Sequence, residues 1–145
     1  MKKSESAAAK MSAGTTNCAQ SVIDAFSEEL DLKESSALKL ALGFGGGMGH
    51  TGGTCGAVTA AYMVLGLKQD FNPYNPKQNR DKVYALVQEF NRRFCQIHGS
   101  INCTQLLNCD LSTPAGLMAA KDRGLTAKLC PQFVKDAVEI VEGMG

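Results

Sequence analysis

Apolar residues recur in this sequence at the spacing of an α-helix. The clearest stripe lies in 79–98, where six positions follow an i, i+3, i+4, i+7, i+11, i+14 pattern: Val83, Leu86, Val87, Phe90, Phe94 and Ile97. Because an α-helix has about 3.6 residues per turn, these side chains share one face. Gly99 follows directly and is typical of a helix end. The stripe predicts a long helix over 79–98 with one buried face.

Other segments carry helix signals, and none shows the clear alternation of a β-strand. Thr113 and Pro114 predict a helix start, and Gly124 predicts the end of that helix. A last helix is predicted from Pro131, with these apolar residues on its buried side: Phe133, Val134, Ala137, Val138 and Val141. Residues 57–67 are apolar on nearly every face, which is typical of a central helix.

The predicted fold is an all-α, single-domain bundle of about six helices with a glycine-rich loop. The length of 145 residues suits one domain over 1–145, since chains usually divide only beyond roughly 250 residues. Residues 1–14 show no apolar stripe, and we expect them to be flexible. Apolar helices in a small bundle are also compatible with a homodimer.

Charge and hydropathy exclude two classes of partner. Fifteen Lys and Arg residues against fourteen Asp and Glu give a net charge of +1, which supplies no basic surface for nucleic acid. The longest apolar run, 60–65, is far shorter than the roughly 20 residues that span a bilayer. Residues 1–14 lack the apolar stretch of a signal peptide. We expect a soluble, cytoplasmic protein that contacts neither nucleic acid nor membrane.

Four of the six cysteines fall at predicted helix starts. Cys18 and Cys103 each follow Asn and precede Gln by two positions, which is a capping-box pattern. Cys55 follows Thr54, the predicted N-cap of the central helix, and Cys130 occupies the predicted cap before Pro131. Free backbone N–H groups at helix starts stabilise anions and lower cysteine pKa values. Four converging starts would therefore form a site for thiolates.

The remaining cysteines, Cys95 inside a helix and Cys109 near a helix end, are interpreted as structural or incidental. The alternative for all six is that small Cys side chains merely fill tight spaces. No C-x-x-C pair is present, which disfavours a zinc ribbon and a thioredoxin-type motif.

A glycine-rich stretch over 43–56 contains a formal G-x-G-x-x-G. The segment before it is helical in pattern and no Lys follows its last Gly, which disfavours dinucleotide binding and a P-loop. We interpret the stretch as a loop that approaches a site closely and delivers Cys55 to it, the alternative being a flexible surface loop. Its candidate cofactor contacts are Gly45, Gly46, Gly47, Gly49 and His50. His50 is a candidate ligand or proton relay, whereas His98 compensates a helix dipole.

These residues resemble the C_GCAxxG_C_C family of small redox-active proteins. The matching segments are 17–20, 43–49, 54–59, Cys103 ahead of Leu106, and Cys130 ahead of Phe133. The family cysteines fall on Cys18, Cys55, Cys103 and Cys130, and Ala60 stands where the motif ends in Gly. The resemblance implies redox activity, with reaction and cofactor undefined.

The leading hypothesis is electron transfer to an unidentified redox partner by an iron–sulfur cluster or related thiophilic metal on Cys18, Cys55, Cys103 and Cys130. One alternative is a thiol/disulfide oxidoreductase that uses a reversible cysteine pair, with Cys55 as nucleophile and Cys18 as a candidate partner. A second alternative is a Zn or Cu(I) binding or sensing protein. Whether the chain is an enzyme stays open at this point.

Overall fold

The computed structural model describes residues 1–144, and these form eight α-helices. In chain order they are α1 (Lys3–Ser12), α2 (Cys18–Ser27), α3 (Glu34–Ala41), α4 (Gly56–Leu67), α5 (Pro76–His98), α6 (Cys103–Leu107), α7 (Pro114–Arg123) and α8 (Leu125–Gly143). A 3-10 turn at Leu42–Phe44 and a tight glycine turn at Gly45–Met48 join α3 to the rest of the glycine-rich loop. The all-α class is confirmed, although the helices number eight rather than about six.

Helix α4 is the centre of the bundle, as its apolar composition predicts. Val58, Ala61 and Val64 are fully buried, and α2, α5 and α8 pack around the helix. Alanine at many of the α4 positions lets these neighbouring backbones come close. No helix within residues 1–144 is both long and apolar enough to cross a bilayer.

Helix α1 lies within 1–14, the segment that the sequence assigned as flexible. It packs along α8, where Ser4 and Ala7 are buried. The Ser4 hydroxyl donates a hydrogen bond of 3.0 Å to Glu139 Oε1 on α8. The segment is therefore largely helical and contributes to the bundle.

The capping signal of α7 acts as predicted, whereas α5 has a cap that the sequence analysis did not identify. Helix α5 includes the predicted 79–98 and begins slightly earlier, at Pro76, because Asn75 Oδ1 accepts a hydrogen bond of 3.1 Å from the N–H of Gln78. Thr113 Oγ1 caps α7 by accepting from the N–H of Gly116 at 3.0 Å.

The last helix begins six residues earlier than predicted, so the placement of Cys130 at a helix start is wrong. Gly124, with φ of 61°, ends α7 and at once begins α8 at Leu125. Burial of Leu125 favours this longer helix, which includes Pro131 in its interior. Pro131 has no N–H to donate to the Ala127 carbonyl, and the exposure of Ala127 leaves that carbonyl to water. Cys130 consequently has no free helix-start amides of its own.

Candidate functional site

Four cysteines line one cavity of about 360 Å³: Cys18, Cys55, Cys103 and Cys130. Gly45, Gly46, Gly49 and His50 from the glycine-rich loop line it as well, whereas Gly47 does not. The remaining wall is mainly apolar, with two polar residues, Asn17 and Thr126, beside Met11, Leu42, Leu106, Leu107, Leu111 and Phe133. The structure thus brings together the four cysteines that the sequence selected.

Local capping places Cys18 in the first turn of α2. Asn17 Oδ1 accepts from the N–H of Gln20 at 2.9 Å, and Gln20 Oε1 accepts from the N–H of Asn17 at 3.0 Å, which forms the predicted capping box. Asn17 Nδ2 also donates to the carbonyl of Leu42 at 2.9 Å. This bond ties the glycine-rich loop to the helix that carries Cys18.

Backbone hydrogen bonds hold Cys55 beside Cys103. The Cys55 N–H donates to the Ile101 carbonyl at 2.7 Å, and the Cys103 N–H donates to the Gly53 carbonyl at 2.7 Å. Cys55 itself, rather than the predicted Thr54, is the N-cap of α4, while Cys103 is the first residue of α6. The glycine-rich loop therefore delivers Cys55 to the cavity, as predicted.

Cys18 and Cys55 form an asymmetric pair. The hydrogen bond from the Cys55 thiol is the largest cause that lowers the pKa of Cys18 to about 6. Burial opposes this shift, and the backbone N–H groups of Gly46, Ala19 and Gly56 reinforce it. The same hydrogen bond, together with burial, raises the pKa of Cys55 well above its usual range. The surroundings of the pair, including the three backbone N–H groups at Cys18, thus favour ionisation of Cys18 over Cys55.

Cys103 and Cys130 face the same cavity as neutral thiols. Burial, aided by the negative charge on Cys18, raises the pKa of Cys103 to about 11. Burial, aided by charge on Cys18 and Cys103, raises the pKa of Cys130 to about 12. Of the four, Cys18 is therefore the cysteine whose ionisation its surroundings favour.

Two glycines allow the backbone to approach the cysteine side chains. A Cβ at Gly56 would lie 2.6 Å from Cys18 Sγ and 2.7 Å from the Phe44 carbonyl oxygen. A Cβ at Gly47 would lie 2.6 Å from Cys103 Cβ. The loop thus packs against the cysteines, which favours the close-approach interpretation over an unattached surface loop.

The loop contains five successive residues in the left-handed region, Gly46 to His50, with φ between 63° and 69°. Met48 and His50 are not glycine, and this conformation is unfavourable for an L-residue by roughly 1–2 kcal/mol. Sequence reasoning anticipated positive φ for the glycines and missed these two positions. The turn sets the His50 ring over Gly46 at the cavity wall.

The second histidine lies outside the cavity lining. His98 Nε2 is 2.8 Å from Asp136 Oδ2 on α8, and the His98 ring packs against Phe94 and Phe133. Cys95 and Cys109 also do not line the cavity, and Cys109 Sγ donates to the Gly116 carbonyl at 3.0 Å.

Sequence reasoning also missed two cavity residues on α8. Thr126, Cys130 and Phe133 are spaced i, i+4 and i+7 and all line the cavity. That spacing is a helical signal. The sequence analysis did not use this spacing, because it predicted that the helix begins only at Pro131.

The thiols have the right chemistry for a thiophilic metal, but their arrangement does not fit one ion. Within residues 1–144, no three His, Cys, Asp or Glu side chains are placed to hold a metal ion together. Four thiolates are a common ligand set for an iron–sulfur cluster. Three of the four cysteines here have raised pKa values, so metal binding would have to displace their protons.

Comparisons with known proteins agree with the cysteine pattern. A family model described as "Putative redox-active protein (C_GCAxxG_C_C)" matches residues 16–144. An uncharacterized protein of Archaeoglobus fulgidus is 30% identical over 133 residues, which cover 87% of this chain and 82% of that protein. No solved structure matches the chain.

Proposed function

This chain belongs to the C_GCAxxG_C_C family, and from that premise we propose that it is a redox protein that works by reversible disulfide formation between Cys18 and Cys55. The observation that carries this proposal is that Cys18 and Cys55 line the same cavity, where the Cys55 side chain and three backbone N–H groups lower the pKa of Cys18. A thiolate is the attacking form in thiol–disulfide exchange, and a neighbouring thiol can then resolve the mixed disulfide.

The roles of the two cysteines follow from which of them the surroundings favour as a thiolate. The sequence favoured Cys55 as the nucleophile on the expectation that neighbouring glycines leave it accessible. Cys55 and Cys18 are almost equally buried, at 4% and 6% exposed, so access does not favour Cys55. The pKa of Cys55 is raised, whereas the pKa of Cys18 is lowered. We therefore assign attack to the Cys18 thiolate and resolution to Cys55.

A second candidate is a metal centre on all four cysteines, either an iron–sulfur cluster for electron transfer or a Zn or Cu(I) site. The observation that favours it is that all four side chains line one cavity. Such a centre requires the cysteines to rearrange, since no three of them within residues 1–144 are placed to hold one ion. It also requires Cys55, Cys103 and Cys130 to lose their protons. The preformed pair makes disulfide chemistry the first candidate.

Equilibration of the protein in redox buffers of graded potential separates the candidates. After acid quenching, alkylation and peptide mass mapping, we expect one disulfide linking Cys18 to Cys55, with Cys95 alkylated at every potential. Cys18→Ser removes this linkage and Cys95→Ser, the matched control, retains it. Persistently alkylatable Cys18 and Cys55 would overturn the proposal. Iron and sulfide retained after anaerobic purification, and lost from Cys103→Ser, would establish the second candidate instead.

A further inference from the structure

The cysteine cavity adjoins a second depression of about 470 Å³ on the surface. His50, Leu111 and Thr126 line both, so these three residues stand at the boundary between them. The outer depression continues along Ala120 and Lys121 of α7. Together the two form a route from the surface to the cysteines.

The lining of the inner cavity restricts both the size and the chemistry of a molecule that can enter it. No Asp, Glu, Lys or Arg is among the described residues that line it, and Leu106, Leu111 and Phe133 supply apolar wall. The Cys18 side chain is 6% exposed, so a reagent has to enter the cavity to reach its sulfur. A small disulfide meets this requirement more readily than a disulfide on the broad surface of a folded protein.

We propose that the cavity is the binding site for a low-molecular-weight disulfide with an apolar arm, which enters between His50, Leu111 and Thr126. The apolar arm packs against Leu106 and Phe133, and the second arm extends into the outer depression. This inference rests on the proposed dithiol–disulfide function and adds the substrate class and its route.

The reaction balances within this set of groups. The Cys18 thiolate attacks one sulfur of the small disulfide, whose S–S bond breaks and releases one thiolate. Cys55 gives its proton to that leaving thiolate and attacks Cys18 Sγ, which releases the second thiolate. The small disulfide is reduced to one thiol and one thiolate, and the protein dithiol is oxidised to the Cys18–Cys55 disulfide.

The test compares disulfide reagents of different size on the reduced, full-length protein. Dithiodipyridine is the small apolar probe, and insulin is the protein disulfide. Each rate is divided by the rate of the same reagent with free N-acetylcysteine, which removes differences in intrinsic reactivity. In a Cys95→Ser, Cys109→Ser background, loss of the mass-spectrometric signal of the unmodified Cys18 peptide identifies the reacting site. We expect the normalised rate of dithiodipyridine to exceed that of insulin by about a hundredfold or more, as access limits the reaction of buried thiols.

A boundary variant tests the route. Thr126 is exposed and lines both depressions, so Thr126→Phe narrows the entrance without filling the core. We expect it to slow the dithiodipyridine reaction about tenfold, since access limits a buried thiol. Ser36→Phe, at an exposed position of α3 remote from the lining, is the matched control and leaves the rate unchanged. An unchanged pH midpoint in Thr126→Phe shows that access, and not the Cys18 thiolate, is affected.

The outcomes separate this inference from the proposed function. If Cys18 and Cys55 form their disulfide in redox buffer but Thr126→Phe reacts as fast as the parent, the route is refuted and the function stands. Equal normalised rates for insulin and dithiodipyridine refute the substrate class. If no Cys18–Cys55 disulfide forms at any potential, the function and the inference fall together.

Discussion

The sulfur of Cys18 lies against the backbone of Gly56, so closely that a Cβ at Gly56 would stand 2.6 Å from it. Gly56 is the first residue of α4, and Cys18 is the first residue of α2. The contact therefore joins the starts of two helices at one sulfur atom.

Gly56→Ala is expected to force these helix starts apart. We predict destabilisation by about 1–3 kcal/mol, the usual range for overpacking, and a raised pKa of Cys18 as its backbone hydrogen bonds lengthen. Urea unfolding and alkylation rate against pH measure the two effects. Gly66→Ala, on the same helix with only an ordinary contact to Val83, is the control and should stabilise the protein by about 0.5–1 kcal/mol. Equal effects at both glycines would contradict the close-approach argument.

Removal of the Cys55 thiol is expected to raise the pKa of Cys18. In the parent protein the Cys18 pKa is about 6, and the Cys55 hydrogen bond is its largest cause. Cys55→Ala removes that donor, whereas Cys55→Ser keeps a hydroxyl donor and should give a smaller rise. Iodoacetamide alkylation of Cys18 followed by mass spectrometry between pH 5 and about 9 measures the midpoint. An unshifted midpoint in Cys55→Ala would assign the low pKa to backbone amides alone.

The stability of the reduced protein should rise with pH through the range in which Cys18 ionises. The folded pKa of Cys18 is about 6 against the ordinary value of 9.0, so the unfolded state binds more protons between them. The stabilisation is complete above the ordinary value and is lost as the pH falls toward 6. The stability difference between parent and Cys18→Ser, from urea unfolding under reductant, should grow from pH 6 to about 8. A constant difference would argue against a buried thiolate.

The left-handed turn is expected to store strain at Met48. Met48→Gly should be more stable than Met48→Ala by about 1 kcal/mol, because glycine adopts positive φ without steric conflict. Met118, exposed on helix α7, is the control. There the order reverses, with Gly less stable than Ala by about 0.5–1 kcal/mol. Thermal unfolding of the four variants measures the stability difference between Gly and Ala at each site. It decides whether that difference changes sign between Met48 and Met118.

Cys103 and Cys130 should be dispensable for the disulfide. Cys103→Ser and Cys130→Ser are each expected to retain the Cys18–Cys55 linkage in redox buffer, because neither side chain lowers the pKa of Cys18. If either substitution abolishes the linkage while helical circular dichroism is kept, all four thiols act as one centre.

Local signals predicted those parts of the fold that short-range contacts control. Asn17 and Thr113 each cap a helix through a hydrogen bond to a residue only three positions away, so their sequence patterns were sufficient. The start of α8 could not be predicted from a local pattern of this kind, because Gly124 both ends α7 and begins α8.

The choice of Cys18 as the thiolate depends on contacts between distant segments. The lowered pKa of Cys18 requires groups at 46, 55 and 56, which the fold brings to the start of α2. Likewise, the left-handed conformation of Met48 and His50 opposes their own preferences and is imposed by the packed loop. The sequence therefore selected the four cysteines, but it could not identify Cys18 as the one whose pKa is lowered.

The amides around Cys18 also determine how the site responds to ionic strength. Its negative charge is balanced by the N–H groups of Ala19, Gly46 and Gly56 and by the Cys55 thiol, not by a lysine or arginine side chain. Dissolved ions screen exposed charges over about 10 Å at 0.1 M, but they do not displace fixed amides packed on a buried sulfur. The nucleophile should therefore keep its reactivity toward a neutral reagent in concentrated salt, where a thiolate stabilised by an exposed cation would lose it.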